Sequence, residues 1–144
     1  MVTEVYLEGM TALEIQDLAR NWIRYQEAWE RVGGPCRECT ELQWAYNLVD
    51  DMVIDRPEES WQLILAVRRL NQSAVIEQML AAAVFEDLMS VYGATLIDRV
   101  EAESKRDPSF IGVIRSSYKA HMSDEVWSRL KALADPAFFL QLIA

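Results

Sequence analysis

The sequence predicts an all-α protein, and three observations support that prediction. Apolar residues recur at helical spacing through most of the 144 residues. Helix-start and helix-stop signals punctuate the chain at intervals of about 10–20 residues. No stretch shows the apolar–polar alternation of a half-buried strand. We therefore expect about seven to nine helices, arranged as an irregular multi-helix bundle or as a short array of antiparallel helical hairpins.

The first predicted helix starts at Thr11, after an N-terminal extension of residues 1–10. Thr11-Ala-Leu-Glu14 has the capping-box pattern, in which the threonine hydroxyl and the glutamate carboxylate satisfy backbone N–H groups reciprocally. Gly33-Gly34-Pro35 ends the helix after about Arg31. Between these signals the apolar positions with helical spacing are Ile15, Leu18, Trp22, Tyr25 and Trp29.

Two further helices meet close to Asp55. Thr40-Glu-Leu-Gln43 repeats the capping-box pattern and predicts the start of the second helix. Pro57 fits the first position of the third helix, where its missing N–H costs nothing, and Glu58 and Glu59 complement the dipole of its first turn. The predicted buried stripe of the second helix is Leu42, Ala45, Val49, Met52 and Val53.

The second half of the chain repeats these signals. Ser73 caps a fourth helix, which the alanines at 81–83 either continue or break, and Gly93 is a predicted C-terminal stop. Further starts follow after Gly93, at Asp107-Pro108 and at Ser123-Asp-Glu. Residues 136–144 form a short apolar C-terminal segment. We expect residues 1–144 to form a single helical domain.

Composition limits the classes of partner. The net charge of -9 and the pI of about 4.6 oppose binding to nucleic acid or to an anionic membrane surface. No secretory signal is recognisable, and apolar runs such as Met79–Phe85 are too short to span a bilayer. We therefore expect a cytoplasmic protein without nucleic-acid or membrane partners.

Acidic residues cluster around the joint between the second and third helices. Only Arg56 offsets them locally in the sequence. Three interpretations stay open: a solvated helix face, a surface that binds a positively charged partner, and a catalytic or metal site. With Trp44 as an aromatic anchor, the candidate partner-binding residues are Trp44, Asp50, Asp51, Asp55, Glu58 and Glu59, and Glu41 lies just upstream.

The five tryptophans divide by their positions on the predicted helices. Trp22, Trp61 and Trp127 fall on inward stripes and are predicted to be core residues. Trp44 lies at the edge of its stripe and Trp29 beside the Gly-Gly turn. These two are candidates for exposure at an interface.

No residue pattern predicts a catalytic site, a metal or a cofactor. Cys36-Arg-Glu-Cys39 supplies two of the four ligands of a structural zinc, and the single histidine, His121, lies 82 residues further on. The cysteine pair is interpreted as incidental loop cysteines, with a redox dithiol as the alternative. His121 is explained by a helix end, where a histidine interacts favourably with the last carbonyls.

The run from Trp44 to Leu70, with its Leu-Val-Asp-Asp and Asp-x-Pro-Glu-x-x-Trp elements, resembles an uncharacterised bacterial family, a domain of unknown function. Residues 85–88, 106–108 and 122–130 share the resemblance, which covers about residues 15–133. Similar sequences carry Gly-Pro before the Glu-Asp-Leu element, where this chain has Ala83-Val84. The resemblance implies an all-α fold and transfers no activity and no catalytic residue.

The leading hypothesis is a non-enzymatic acidic interaction protein, of the kind represented by immunity or antitoxin-like inhibitors, that binds a basic protein partner. The alternative is a small helical enzyme, or a ligand-binding or metal-binding domain, that uses the acidic joint between Asp50 and Glu59. A third hypothesis is a homo-oligomer formed through the apolar residues 138–143.

Overall fold

A computed structural model describes residues 9–135, and within that range the chain is all-helical and has no strand. The predicted fold class is therefore confirmed. The described part forms six helices, fewer than the seven to nine predicted. They are α1 (Ala12–Val32), α2 (Arg37–Asp55), α3 (Pro57–Leu70), α4 (Ala74–Arg106), α5 (Ile111–Arg115) and α6 (Asp124–Ala134).

The chain divides into two compact units, with the boundary between Gln72 and Ser73. In the first unit α1, α2 and α3 pack against one another. In the second unit α4 packs against α6, and α5 packs against α6 and against the first part of α4. The predicted apolar segment 136–144 and most of the predicted extension 1–10 lie outside the described residues.

Helix α1 has the predicted ends. The Thr11 hydroxyl accepts the Glu14 N–H at 3.1 Å, and the Glu14 carboxylate accepts the Thr11 N–H at 3.0 Å, so the capping box is complete. Gly33 ends the helix in the left-handed conformation (φ 79°), where glycine has no steric penalty, and donates its N–H to the Trp29 carbonyl.

Helix α2 starts earlier than predicted. The capping residue is Cys36, and Thr40 lies inside the first turn, where its hydroxyl donates to the Cys36 carbonyl at 3.1 Å. The predicted capping box at Thr40 is wrong because Thr40 is already helical and its side chain is directed back along the turn. The predicted buried stripe is confirmed: Leu42, Ala45, Val49, Met52 and Val53 are all buried.

Helix α3 starts as predicted, with Pro57 in the first position after the non-helical Arg56. Glu58 and Glu59 occupy the first turn. Trp61 is buried, as is Trp22 of α1, which confirms both as core residues. Trp127 of α6 is only half-buried, so its predicted core position is confirmed only in part.

Helix α4 merges two predicted helices. Ser73 caps it as predicted, and the segment Ala81–Phe85 forms a π-helical turn between two α-helical stretches, so the alanines continue the helix. Such turns insert one residue without ending the helix. The stop predicted at Gly93 is confirmed only in part: Tyr92 has non-helical dihedral angles (φ -118°, ψ 15°) and kinks the helix, but helical residues continue on both sides and Gly93 itself is buried. This merger removes one helix from the expected number.

Helices α4 and α6 are also joined by charge. Arg129 of α6 donates to Asp98 at 2.6 Å and to Glu101, and both carboxylates hold the pKa of the guanidinium above its usual range. Ser123 caps α6 as predicted, accepting the Val126 N–H at 3.2 Å. The second unit therefore has both an apolar and an ionic contact between its two principal helices.

Among the described residues, α4 is the one helix long and apolar enough to cross a membrane by length and composition. Half of the qualifying window is buried within the protein, and a core helix of a soluble protein passes the same test.

Candidate functional site

Three candidate residues form one line along the solvent face of α2. Asp51 follows Trp44 by seven residues and Asp55 follows Asp51 by four, which corresponds to about two turns and then one turn of helix. All three side chains are exposed, and Trp44 is 48% exposed despite its size. The structure thus places an aromatic ring and two carboxylates on one surface, which we call the α2 face.

Asp50 belongs to a different side of the helix. Consecutive helical residues are about 100° apart around the axis, so Asp50 is turned well away from Asp51 and from the line through Trp44. Its side chain is exposed. The predicted cluster is therefore divided, with Asp50 outside the α2 face.

Glu58 and Glu59 are engaged within the first unit. The Glu58 carboxylate accepts a hydrogen bond from the Gln62 side chain at 3.3 Å, one turn further along α3. Glu59 is half-buried, and its carboxylate lies 3.8 Å from the position that a Cβ on Gly9 would occupy. Both also complement the positive end of the α3 dipole. Helix construction and packing therefore account for these two acids.

The acids at the beginning of α2 have basic partners. Arg31 of α1 pairs with Glu38 at 2.6 Å, and Arg24 approaches the same carboxylate at 3.7 Å. Arg37 pairs with Glu41 at 3.4 Å, so Arg56 is not the only residue that offsets the acids around the joint, as the sequence alone suggested. The pairs with Glu38 link α1 to α2, the Arg37–Glu41 pair lies within α2, and together they offset the acids in the first part of α2.

The acids at the end of α2 are different. In the range 9–135, no ion pair involves Asp50, Asp51 or Asp55, and the last turn of α2 contains no basic residue. The C-terminus of a helix carries partial negative charge, so carboxylates there are unfavourable for helix stability. Neither helix formation nor local pairing explains them.

The remaining chemistry lies elsewhere. Over residues 9–135, no group of three or more His, Cys, Asp or Glu side chains is arranged to hold a metal ion. His121 is exposed in the turn before α6, where its backbone N–H donates to the Ser90 hydroxyl at 3.2 Å. A surface cleft of about 390 Å³ in the second unit is lined by Gln78, Ala82, Arg115, Ser116 and Tyr118.

The two cysteines are the feature that sequence reasoning underestimated. Cys36 caps α2, Cys39 is in its first turn, and their sulfurs are paired as a disulfide. They are therefore part of a helix start and not of a loop. The signal was present in the sequence, because the spacing of Cys-x-x-Cys equals that between an N-cap residue and the third helical residue.

Comparison with known proteins assigns no activity to these surfaces. Residues 32–138 match a family of unknown function (DUF6869), a range that includes α2, its exposed face and the cysteine pair. The resemblance expected from the sequence is thereby confirmed. No curated protein and no solved structure matches the chain.

Proposed function

The chain belongs to the DUF6869 family of unknown function, and we propose that it is a non-enzymatic, acidic interaction protein. Its partner would be a basic protein that docks on the α2 face, defined by Trp44, Asp51 and Asp55. The observation that carries the proposal is the pair of exposed carboxylates at the C-terminal end of α2, which have no basic partner among the described residues.

Electrostatics supports this assignment. Asp51 and Asp55 repel the negative end of the helix dipole in the free protein, and a cationic side chain of a partner would relieve that repulsion. Complementary charge also accelerates diffusional encounter and excludes partners of the wrong sign. Five of the 23 acidic residues lie between Asp50 and Glu59, against a single arginine, so the field is concentrated in this part of the chain.

Trp44 supplies the apolar component of the same face. Tryptophan and tyrosine are enriched among the residues that dominate binding energy, because a large ring buries much area with little loss of side-chain entropy. A half-exposed tryptophan about two and three turns away from two carboxylates combines an anchor with charge-based steering. Asp50, Glu58 and Glu59 would contribute to the long-range field more than to direct contact.

The class of partner follows from this combination. Small acidic inhibitors of the immunity or antitoxin type neutralise basic toxins, including nucleases, by charge-complementary docking. A cytoplasmic inhibitor of a basic protein fits the net charge of -9. We assign the chain to this class and place its toxin-binding contact on the α2 face.

The test measures association kinetics with a basic partner, isolated from the source cell or encoded in the neighbouring reading frame. The charge-reversal variant carries Asp51→Lys and Asp55→Lys. The control carries Glu27→Lys and Glu30→Lys on α1, which change the net charge by the same amount. We expect the α2 variant to associate at least about tenfold more slowly, with weaker salt dependence, and the α1 variant to change about twofold or less.

Equal slowing by both variants would show that only the net charge matters, and that outcome would overturn the assignment to the α2 face. Unchanged association of the α2 variant would overturn it equally. Trp44→Ala is the complementary measurement. It should accelerate dissociation while leaving the salt dependence of association unchanged, because it removes packing and no charge.

A further inference from the structure

The Cys36–Cys39 pair is not used by the proposed interaction. We propose that these cysteines form a thiol–disulfide exchange site, in which Cys36 reacts with external thiols and disulfides and Cys39 is the internal resolving residue. This inference does not depend on the proposed function. It rests on the position of the pair in α2, on the difference in burial between the two sulfurs and on the surroundings of Cys39.

The backbone of α2 brings the two cysteines into bonding range. Their Cα atoms are 5.1 Å apart, inside the range of about 4.4–6.8 Å found for disulfides. Because both residues belong to the same helix start, the dithiol and the disulfide can form on one backbone. A pair separated by three residues closes a short loop, so its main consequence is chemical and not a large constraint on the unfolded chain.

The N-terminus of α2 favours a thiolate at Cys36. The Cys36 sulfur accepts the backbone N–H of Cys39 at 3.1 Å, in the position that a serine hydroxyl takes in an ordinary N-cap. A helix of 19 residues places the positive end of its dipole at this sulfur. Both interactions stabilise negative charge, and cysteines at helix N-termini commonly have pKa values below the usual value of about 8.5.

Burial separates the roles of the two sulfurs. Cys36 is partly exposed, whereas Cys39 is only 2% exposed and packs in the core formed with Tyr25, Ala28 and Leu42. An external reagent therefore reaches Cys36 first. Cys39 is shielded from bulk solvent but lies next to Cys36, which is the arrangement required of a residue that attacks or leaves intramolecularly.

The exchange with glutathione is balanced. In the oxidising direction, the Cys36 thiolate attacks one sulfur of glutathione disulfide, forms a mixed disulfide and releases one glutathione thiolate. The Cys39 thiol then loses its proton to solvent, and the resulting thiolate attacks the Cys36 sulfur and expels the second glutathione as a thiolate, which takes up a proton from solvent. Two electrons move from the protein dithiol to glutathione disulfide, and reduction follows the same steps in reverse.

The experiment uses the full chain and glutathione as the exchange partner. The wild-type protein is equilibrated with mixtures of reduced and oxidised glutathione, quenched with acid, alkylated and analysed by mass spectrometry. We expect it to interconvert between the dithiol and the internal disulfide without accumulating a glutathione adduct. The variant Cys39→Ala should accumulate one glutathione on Cys36, because the resolving thiol is absent.

Alkylation rates test the difference between the cysteines directly. In the reduced, folded wild type, iodoacetamide should modify Cys36 at least about tenfold faster than Cys39, with a pH midpoint below about 8.5. In urea the two rates should become similar, because the helix and the core are lost. This comparison needs no variant, so a poorly folded variant cannot obscure it.

Three results would overturn the proposal. The first is accumulation of glutathione adducts on the wild type without the internal disulfide. The second is equal alkylation of both cysteines in the folded protein. The third is a pH midpoint for alkylation of Cys36 at or above the ordinary thiol pKa of about 8.5.

The variant Cys36→Ser retains an N-cap oxygen, so it should stay folded and lose rapid exchange with glutathione.

Discussion

Gly93 of α4 and Val126 of α6 are in direct contact, with no space for a side chain on residue 93. A Cβ atom there would lie 2.9 Å from Val126 Cγ1 and 3.1 Å from Cγ2. Valine is stiff about χ1, so its methyl groups cannot rotate away without moving the backbone of α6. Close helix packing therefore requires glycine at this position, although a glycine inside a helix is costly for helix stability.

We expect Gly93→Ala to destabilise the protein. Alanine improves helix propensity by about 1 kcal/mol, but overpacking against Val126 costs about 1–3 kcal/mol, so the net loss should be about 1 kcal/mol. In a Val126→Ala background only the Cβ of residue 126 remains, at an ordinary contact distance of 3.5 Å, and the same change should become stabilising. Urea denaturation of the four proteins in this double-mutant cycle shows whether Gly93→Ala raises or lowers the free energy of unfolding in each background.

Thr95→Ala is the control for Gly93→Ala, since Thr95 is exposed on α4 and its replacement should change stability by no more than about 0.5 kcal/mol. Stabilisation by Gly93→Ala in the wild-type background would contradict the close contact. If Gly93→Ala were still destabilising in the Val126→Ala background, that result would contradict the close contact as well.

The two threonines that begin capping-box patterns should respond differently to alanine. Thr11→Ala removes an N-cap acceptor and should cost about 1 kcal/mol. Thr40→Ala should be neutral or slightly stabilising, because Thr40 is inside α2 and alanine has the higher helix propensity. The free energy of unfolding of both variants, measured by urea denaturation, tests the start of α2. If both substitutions lowered the free energy of unfolding by about 1 kcal/mol, that result would support the start at Thr40 that the sequence predicted.

The Glu14 carboxylate should make part of the stability of α1 depend on pH. The Thr11 backbone N–H, and secondarily its hydroxyl, lower the pKa of Glu14 below its ordinary value of 4.5. Since the folded pKa is the lower one, the stabilising contribution is present above pH 4.5 and is lost as the pH falls through the folded pKa. Glu14→Gln should abolish this contribution while keeping an oxygen acceptor.

The measurement for Glu14 is the urea midpoint of both proteins between pH 3 and pH 7. The difference in favour of the wild type should shrink on acidification. Thr11→Ala should reduce the same pH dependence, because it removes the hydroxyl half of the box. If the difference in urea midpoint between wild type and Glu14→Gln were constant over this pH range, the Glu14 capping interaction would not contribute to the pH dependence of stability.

Helix class and most of the helix ends could be predicted because their causes are local. The capping box at Thr11, the stop at Gly33 and the proline start at Pro57 each depend on hydrogen bonds and dihedral angles within a few residues. The buried stripe of α2 follows from periodicity in the same way. These features could be inferred without knowledge of any tertiary contact.

The errors came from interactions between distant residues or from ambiguous local signals. Gly93 was predicted as a helix stop and lies beside a kink, but the helix continues beyond it, and its contact with Val126, 33 residues away in sequence, could not be inferred from local signals. The start of α2 was predicted at Thr40 from its capping-box pattern, and Cys36 was not recognised as the cap because cysteine is uncommon at that position. The division of the acidic cluster could be deduced from helix geometry once the bounds of α2 were known. The ion pair between Arg31 and Glu38 could not be predicted, because it joins two separate helices.

Glu86 should make the second unit less stable as the pH rises. Burial is the main cause that raises the pKa of Glu86 above 4.5, Asp87 raises it further, and a hydrogen bond from the Tyr118 backbone N–H acts in the opposite direction. Because the folded pKa is the higher one, the contribution is favourable below pH 4.5 and is lost as the pH rises through the folded pKa. Glu86→Gln stays neutral, so its urea midpoint relative to the wild type should increase between pH 4 and pH 7.

Glu125→Gln, at an exposed carboxylate of the same unit, is the control and should show no such increase. A flat or falling difference for Glu86→Gln would mean that burial does not penalise this carboxylate.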